Sequence, residues 1–341
     1  MRKYFICVLC VLSPFLTYAL QSIDDQLSIY YSPDASHAPI IQGIQSAQHS
    51  IQMVIFHIND KDVEDALIAA AQKGVKVQVI VDGLSLKLPS FSSSKRRMEK
   101  GGVVVTASSS GFKITHQKTM VVDDKTAYVT TMNLTKKVDS TRDWGVITQD
   151  QRIIAEMDSV FQADLSNAST GQGLTPSLSE SHLLWSPVNA EQKLIQLIQR
   201  AHTKIISTVE NLGNAAIQKA FEDAAARGVD VRMISPLCDI AVNANHNVSY
   251  MKEMESKGVH ARLMPNPQTA TQPYMHAKMI LVDETEAYLG SVNFSDNSLH
   301  NSREAGIIFQ NSKANSTIKN EFEKDWNQAI SPTSTLPSCA G

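Results

Sequence analysis

The chain has 341 residues, of which 43% are hydrophobic and 19% are charged, with only 15 glycines and 12 prolines. This composition excludes a disordered, collagen-like or low-complexity protein, and the length predicts two domains or one large domain built from two halves. The 34 acidic residues slightly outnumber the 31 basic ones, so the formal net charge of -3 excludes a general polyanion binder held by bulk charge.

The first predicted element is an export signal. A short basic start precedes an apolar run at residues 4–16, which has the length of a signal-peptide core and is too short for a comfortable membrane span. We expect a signal peptide at residues 1–19, cut after Ala19, and a secreted or periplasmic protein; an uncleaved anchor or a buried first helix is the alternative. Export would leave Cys238 and Cys339, which could form one disulfide in an oxidising compartment.

The elements that follow come in two similar series. After Ser32-Pro33 the pattern predicts a helix, a strand, a second helix and a second strand, and the same order follows Ser186-Pro187, 154 residues later. Alternating strands and helices favour right-handed βαβ units. The sequence therefore predicts an α/β fold of two repeated halves, each a mainly parallel sheet flanked by helices.

Polar, aperiodic stretches set the predicted boundaries. Residues 166–181 are rich in Ser, Thr and Gly and indicate a flexible connection. Residues 85–94 and 239–249 follow corresponding strands, and we expect them to be irregular and to border a shared cleft. The predicted units are a first half at 28–165, a linker at 166–182, a second half at 183–330 and a tail at 331–341.

Each half carries the same polar motif, HxKxxxxD. Its residues are His116, Lys118 and Asp123 in the first half and His276, Lys278 and Asp283 in the second. On a strand, the histidine and lysine of a copy would share one face, and a buried lysine beside a histidine is costly unless an anion binds there. We count all six as candidate catalytic residues, although the two aspartates could instead serve structure.

Further matched residues follow each motif. Amide and hydroxyl groups that could bind the same anion are Asn133 and Thr131 in the first half and Asn293 and Ser291 in the second. A carboxylate, Asp143 or Glu304, stands 27 or 28 residues after the histidine of its half. A carboxylate that accepts a hydrogen bond from one imidazole nitrogen makes the other nitrogen a better nucleophile or proton carrier. Lysine is not a metal ligand, no HExxH occurs, and no CxxC occurs after the predicted signal peptide, so we expect neither a metal nor a cofactor.

At these residues the sequence resembles the phospholipase D superfamily, whose signature is HxKxxxxD followed by GSxN, usually in two copies. The second copy matches fully through Gly290, Ser291 and Asn293, whereas the first has Thr130 and Thr131 in place of Gly and Ser. The resemblance implies two halves related by a pseudo-twofold axis, with one active site at their interface.

The resemblance also implies a mechanism with a phosphohistidine intermediate. By family analogy His116 is the nucleophile and His276 the general acid, which later activates water. Lys118, Lys278 and the two asparagines would hold the non-bridging oxygens of the phosphate.

The substrate is the open question at this point. The export signal, the acidic net charge and apolar residues in a predicted cleft loop (Leu84, Leu86, Leu88 and Phe91) favour hydrolysis of phospholipids to phosphatidic acid and free headgroup by a phospholipase D. The alternative is a secreted, metal-independent endonuclease, for which the basic stretch at residues 95–100 is the only hint of a nucleic-acid groove. With both motifs in one chain, we expect a monomer acting at a membrane surface.

Overall fold

The computed structural model describes residues 26–239, 244–265, 268, 271–336 and 338–339. The predicted signal peptide at residues 1–19 lies outside the described residues. Among those residues, no helix is both long and apolar enough to cross a bilayer.

The described residues of the two halves repeat one series of elements, and the second half has additional short strands. The first half consists of β1 (Leu27–Ser32), α1 (Ala38–Ser46), β2 (Ser50–Ile55), α2 (Lys61–Gln72), β3 (Lys76–Val81), α3 (Pro89–Lys100), β4 (Val104–Ala107), β5 (Thr119–Val122), β6 (Thr126–Thr130), β7 (Thr141–Thr148) and α4 (Gln151–Thr170). The second half consists of β8 (Leu183–Ser186), α5 (Ala190–Gln199), β9 (Lys204–Thr208), β10 (Leu212–Gly213), α6 (Ala215–Ala226), β11 (Asp230–Pro236), α7 (Asn247–Ser256), β12 (His260–Met264), β13 (Tyr274–Met275), β14 (Met279–Val282), β15 (Glu286–Gly290), β16 (Phe294–Ser295), β17 (Glu304–Phe309) and α8 (Ser312–Gln328).

Matching signals begin and end the matching helices. The Asp60 carboxylate accepts hydrogen bonds from backbone N–H groups in the first turn of α2, and the Asn214 side chain does the same for α6. Gly74 and Gly228 follow these helices with φ near +91°, a left-handed conformation that favours glycine. The offset of 154 residues in the sequence is therefore a true structural equivalence.

Each half forms one mixed sheet, so the prediction of two α/β halves is confirmed while the mainly parallel pairing is wrong. The strand order is β1-β7-β6-β5-β2-β3-β4 in the first half and β12-β11-β9-β14-β15-β17-β8 in the second. Within these two strand orders β2-β3-β4 and β9-β11-β12 pair in parallel and the other neighbours are antiparallel. The two-residue pairings of β10 with β16 and of β13 with β7 are also parallel. The short turns after β5 and β14, at residues 123–125 and 283–285, allow antiparallel hairpins where the sequence pattern alone suggested parallel crossovers.

The halves pack against each other through one shared apolar core. Val129 and Trp144 of the first sheet and Leu289 and Ile307 of the second belong to it, together with residues of α4 and α8. Helices α1 to α3 pack on the first sheet and α5 to α7 on the second, each around a core of its own half. In addition, β13 of the second half pairs with β7 of the first, so the two halves share main-chain hydrogen bonds as well as side-chain contacts.

The structure differs from the expected irregular segments in two places. Helix α4 continues to Thr170 and ends at Gly171, so it covers the first five residues of the predicted linker. Residues 85–94 are mostly helical, because a single 3₁₀ turn at 85–87 leads into α3, which begins at Pro89. High serine content concealed both helices from a pattern-based prediction.

The expected cysteine pair is joined. Cys238, just after β11, forms a disulfide with Cys339 in the predicted tail. The last residues described in the chain are therefore attached to the second half and do not form a free tail.

Candidate active site

A cleft of about 740 Å³ lies between the two halves. His116 and His276 both line it, with Asn133 and Asp143 from the first half and Asn293 and Glu304 from the second. The predicted single site at the interface is present, and it takes matching side chains from each half.

The histidine and carboxylate pairs cross between the halves. His116 Nδ1 lies 2.9 Å from Glu304 Oε2, and His276 Nδ1 lies 2.6 Å from Asp143 Oδ1. Asp143 and Glu304 therefore each contact a motif histidine, but the histidine of the opposite half and not the one from which their spacing was counted. All four side chains are buried, and the bonds at Nδ1 leave Nε2 of each ring for the substrate.

Main-chain contacts cause this crossing. The N–H of His116 donates to the carbonyl of Arg303 at 2.9 Å, and the N–H of His276 donates to the carbonyl of Arg142 at 3.2 Å. The carboxylate residue follows directly after each arginine. A histidine anchored to the main chain of the opposite half therefore meets the carboxylate of that half.

The same two arginines bind the halves together through their side chains. Arg303 forms two hydrogen bonds with Asp164 of α4, at 2.7 and 2.8 Å. Arg142 forms the reciprocal pair with Asp325 of α8, at 2.7 and 3.0 Å. The sequence pattern had drawn attention only to the carboxylate after each arginine, so the structural role of the guanidinium groups was missed.

The motif lysines are fully buried beside the histidines. Lys118 Nζ donates to the carbonyl of His116 at 2.7 Å, and Lys278 Nζ donates to the carbonyl of His276 at 2.6 Å. Both residues come immediately before a strand, at β5 and β14, and not within it as expected. Burial lowers the pKa of Lys118 to about 7, and the charge of Lys278 contributes to this shift while Glu304 opposes it.

The two histidine pairs differ in charge as well as in carboxylate type. Burial lowers the pKa of His116 well below its usual range, and burial raises the pKa of Glu304 to about 7. Burial also acts to raise the pKa of Asp143, but the charges of His276 and Lys278 outweigh it and lower that pKa. At neutral pH the first pair therefore holds a neutral imidazole beside a carboxyl near the midpoint of its titration, whereas the second contains an ionised carboxylate.

The asparagines reach the cleft, but the predicted phosphate-binding hydroxyls do not. Thr131 Oγ1 donates to the Asp143 carboxylate and accepts a hydrogen bond from the backbone N–H of Trp144 at 2.8 Å. Ser291 Oγ exchanges hydrogen bonds with the main chain of Ala305. Both hydroxyl groups lie behind the carboxylates, so the prediction that they contact phosphate is wrong and they instead support the histidine-orienting strands.

The first motif copy has Thr130 where the second has Gly290, and the two positions make different contacts with the neighbouring strand. A Cβ at Gly290 would lie 2.4 Å from the Cα of Gly306, which requires glycine there. Thr130, at the equivalent place, donates its hydroxyl to the carbonyl of Trp144 at 2.8 Å. The site therefore keeps its symmetry at the main chain despite this substitution.

The motif aspartates lie away from the cleft, and their assignment as catalytic residues is wrong. Asp123 follows β5 and accepts hydrogen bonds from the N–H groups of residues 48–50 at 2.7 to 2.8 Å. Asp283 follows β14 and accepts from residues 202–204 at 2.8 to 2.9 Å. Each aspartate fixes the turn that leads into the neighbouring strand, β2 or β9, because the four residues of β5 or β14 separate it from the motif lysine.

Phe91 lines the cleft as expected, whereas Leu84, Leu86 and Leu88 do not, and the walls also contain residues that the sequence did not indicate. In the first half the rings of Phe56, His57 and Phe91 stack in series, with centroids 3.8 and 4.4 Å apart. Burial lowers the pKa of His57 to about 3, so this ring stays neutral. The second half presents Glu210 and Asn211 at the positions equivalent to Phe56 and His57. The repeat offset identifies these positions, but only the structure shows that they face the substrate.

Charged residues at the mouth also differ from the expectation. Lys136 and Lys137 line the cleft, whereas none of the basic residues at 95–97 does. Lys95 is paired with Glu99, and Arg97 is paired with Glu64 and Asp65. In the described part of the chain, no group of three or more His, Cys, Asp or Glu residues could hold a metal ion.

Comparisons with known proteins agree with this geometry. A family model described as "Cardiolipin synthase, PLD-like domain" matches residues 40–165 and 194–326, one segment in each half. Over 125 residues the chain is 32% identical to "Phospholipase D Z" of Dictyostelium discoideum, covering 36% of this chain and 28% of that protein. Over 343 residues it is 22% identical to "Cardiolipin synthase 1" of Bacillus cereus, covering 86% of this chain and 65% of that protein. The chain thus spans less than two thirds of the length of either relative.

A solved structure has the same fold over nearly the whole chain. The phosphatidylserine synthase of Haemophilus influenzae superposes with a TM-score of 0.70 at 13% sequence identity, covering 94% of this chain and 90% of that one. This likeness shows a shared fold. Because the family model matches most of the chain, including both histidine motifs, the protein belongs to the phospholipase D/cardiolipin synthase superfamily.

Proposed function

We propose that the protein cleaves phospholipids at the headgroup phosphodiester, through a phosphohistidine formed on His116. The observation that carries this proposal is the placement of His116 and His276 in one cleft, each with Nδ1 bonded to a carboxylate of the opposite half. Such a pair can attack phosphorus from one side and protonate the departing oxygen on the other.

The reaction has two displacements. In the first, Nε2 of His116 forms a bond to phosphorus, the bond from phosphorus to the headgroup oxygen breaks, and Nε2 of His276 gives that oxygen its proton. In the second, His276 takes a proton from water, the water oxygen bonds to phosphorus and the bond to His116 breaks. The products are free headgroup and phosphatidic acid, and both histidines return to their starting forms.

The remaining groups of the site stabilise charge in these steps. Asn133 and Asn293, which line the cleft, would bind the non-bridging oxygens, and the charges of Lys118 and Lys278, buried beside the histidines, would stabilise them. In its ionised form Glu304, whose pKa is about 7, accepts the Nδ1 hydrogen of His116 and offsets the positive charge that the ring gains when Nε2 bonds to phosphorus. The buried, preorganised donors need little rearrangement as charge develops.

The cleft walls favour a lipid over a nucleic acid. One wall is aromatic and the other polar, as an amphipathic substrate requires. Leu84 and Leu88, on the segment that leads into the Phe91 helix, are 52% and 51% exposed and suit contact with acyl chains. Lys136 and Lys137 can pair with an anionic headgroup as well as with a nucleic-acid backbone, so they do not discriminate the two.

Two finer parts of this proposal concern the acceptor and the compartment. We take water as the acceptor, although relatives named cardiolipin synthases make an alcohol acceptor the specific alternative. Export, and activity as a monomer, complete the proposal. The Cys238 to Cys339 disulfide supports an oxidising compartment, and the presence of both motifs in one chain supports the monomer.

The test is a side-by-side assay with EDTA present. Parent protein, His116→Asn and the exposed-residue control His260→Asn are incubated with phosphatidylcholine vesicles, with the same vesicles plus phosphatidylglycerol, and with single- and double-stranded DNA. We expect choline and phosphatidic acid from the parent and the control and no product from His116→Asn. Formation of cardiolipin or another transfer product would show that the acceptor is an alcohol and not water. Cleavage of DNA with intact lipid would overturn the lipid assignment.

A further inference from the structure

The two motif lysines face different groups, although they occupy equivalent positions in the two halves. Lys278 Nζ lies 2.8 Å from Glu210 Oε2, and the same oxygen lies 3.5 Å from His276 Nε2. Glu210 is therefore close to the nitrogen that acts on the substrate, on the side of the ring opposite Asp143.

The equivalent place in the first half is apolar. Phe56 stands 154 residues before Glu210, and both follow the strand that pairs with the motif strand. The Phe56 ring lies 5.4 Å from Lys118 Nζ and 4.8 Å from the His116 ring. One histidine thus faces an aromatic ring where the other faces a carboxylate.

We propose that Glu210 is the residue that makes the two halves unequal, holding His276 as the proton donor to the leaving alcohol and leaving His116 as the nucleophile. This inference rests on the proposed function. Glu210 acts through His276 and is a positioning residue, because its Oε2 lies 3.5 Å from the ring nitrogen that would carry the transferred proton. His116 has no such second carboxylate at the equivalent position.

The charges around each histidine support this division. His276 faces Asp143 from β7, Glu210 from the end of β9 and Lys278 from its own segment, with His116 and His57 across the cleft. Burial acts to raise the pKa of Glu210, but the charges of His276 and Lys278 outweigh it and hold that pKa well below its usual range. The carboxylate therefore remains ionised at neutral pH.

A hydrogen bond fixes the carboxylate in place. The hydroxyl of Tyr274 donates to Glu210 Oε1 at 3.1 Å, and the Glu210 side chain is 13% exposed. Glu210→Gln keeps the shape and can keep the contacts with Tyr274 and Lys278, so the variant removes the charge with little disturbance. Glu286→Gln is the matched control, because Glu286 is also buried and paired, with Arg200, but lies outside the cleft.

The test compares two substrates that differ in their need for a proton donor. Phosphatidylcholine releases an alkyl alcohol that must be protonated, whereas a p-nitrophenyl phosphodiester releases a stable anion. For each, kcat/KM is measured against pH, since it reports the steps up to leaving-group departure. A proton donor is lost as pH rises, so removing Glu210 is expected to move the alkaline limb for phosphatidylcholine to lower pH by about one to three units.

In Glu210→Gln we expect the alkaline limb to shift with phosphatidylcholine and to stay unshifted with the p-nitrophenyl ester. In Glu210→Asp and Glu286→Gln we expect the alkaline limb to match that of the parent. An equal fall in kcat/KM with both substrates, or an unshifted limb, would overturn the role of Glu210.

A p-nitrophenol burst settles the histidine roles independently of whether Glu210→Gln folds. It should persist in His276→Asn and vanish in His116→Asn, and the reverse pattern would overturn the inference. Turnover by the parent without any burst or covalent adduct would instead reject the proposed function.

Discussion

We expect the ion pair between Arg303 and Asp164 to contribute strongly to the stability of the contact between the two halves. Arg303 is fully buried, forms two hydrogen bonds with Asp164 and a third with Thr175 at 2.8 Å, and lies over the rings of Phe112 and Trp185. Arg303→Leu leaves the Asp164 carboxylate buried without a partner, which typically costs about 3–5 kcal/mol. By contrast, Arg303→Leu combined with Asp164→Leu replaces the pair with apolar groups and should recover most of that loss.

The assay is urea unfolding followed by tryptophan fluorescence, with the disulfide kept oxidised. The control is Lys219→Leu, because both members of its pair with Asp223 are exposed and its loss should change the free energy of unfolding little. Burial already raises the pKa of Asp164 in the parent, and the loss of Arg303 raises it further. A carboxyl with a raised pKa in the folded state destabilises the protein as pH rises, so the deficit of Arg303→Leu should shrink between pH 7 and pH 5. A single variant as stable as the parent, or a double variant that loses the sum of both single effects, would refute this reasoning.

Three further predictions concern the motif and its carboxylates. Asp143→Asn should lower kcat/KM for phosphatidylcholine by about 10²–10⁴ through His276, and less for a p-nitrophenyl ester; equal losses on both substrates would contradict the crossed pairing. Asp123→Ala should lower the free energy of unfolding by about 1–3 kcal/mol, because three N–H groups lose their acceptor, while kcat per folded molecule stays unchanged; a selective loss of kcat would return Asp123 to the site. A nucleophilic imidazole fails when protonated, and burial lowers the pKa of His116, so the acid limb of kcat/KM should lie below the value of about 6.5 typical of free imidazole. An acid limb above that value would exclude neutral His116 as the limiting group.

The repeated motif predicted which histidines form the site, but it did not predict which carboxylate each histidine contacts. His116 and His276 could be found because HxKxxxxD recurs in matching contexts, and the repeat itself predicted that the halves meet. The crossing to Glu304 and Asp143 could not be predicted, because spacing within one half carries no information on contacts with the other. It depends on main-chain bonds at Arg303 and at its counterpart in the first half.

Residues without a motif were missed for a different reason. Glu210 and Phe56 each follow a buried strand, and neither residue type at that place indicates function on its own. Comparison of the two halves residue by residue would have shown an acidic residue at the position of an aromatic one. Thr131 and Ser291 were misplaced because a hydroxyl beside an active site can serve the strand behind it as readily as the substrate.

In the proposed mechanism the phosphatidyl group is transferred to His116 in a cleft made by both halves. The most direct test is to quench turnover of a short-chain phosphatidylcholine under neutral denaturing conditions and to map the adduct by peptide mass spectrometry, in the parent and in His276→Asn. We expect a phosphatidyl adduct on the peptide that contains His116, accumulating further in His276→Asn if the second displacement is slowed more than the first. An adduct on His276 in the parent, or continued turnover with no adduct on either histidine, would contradict it.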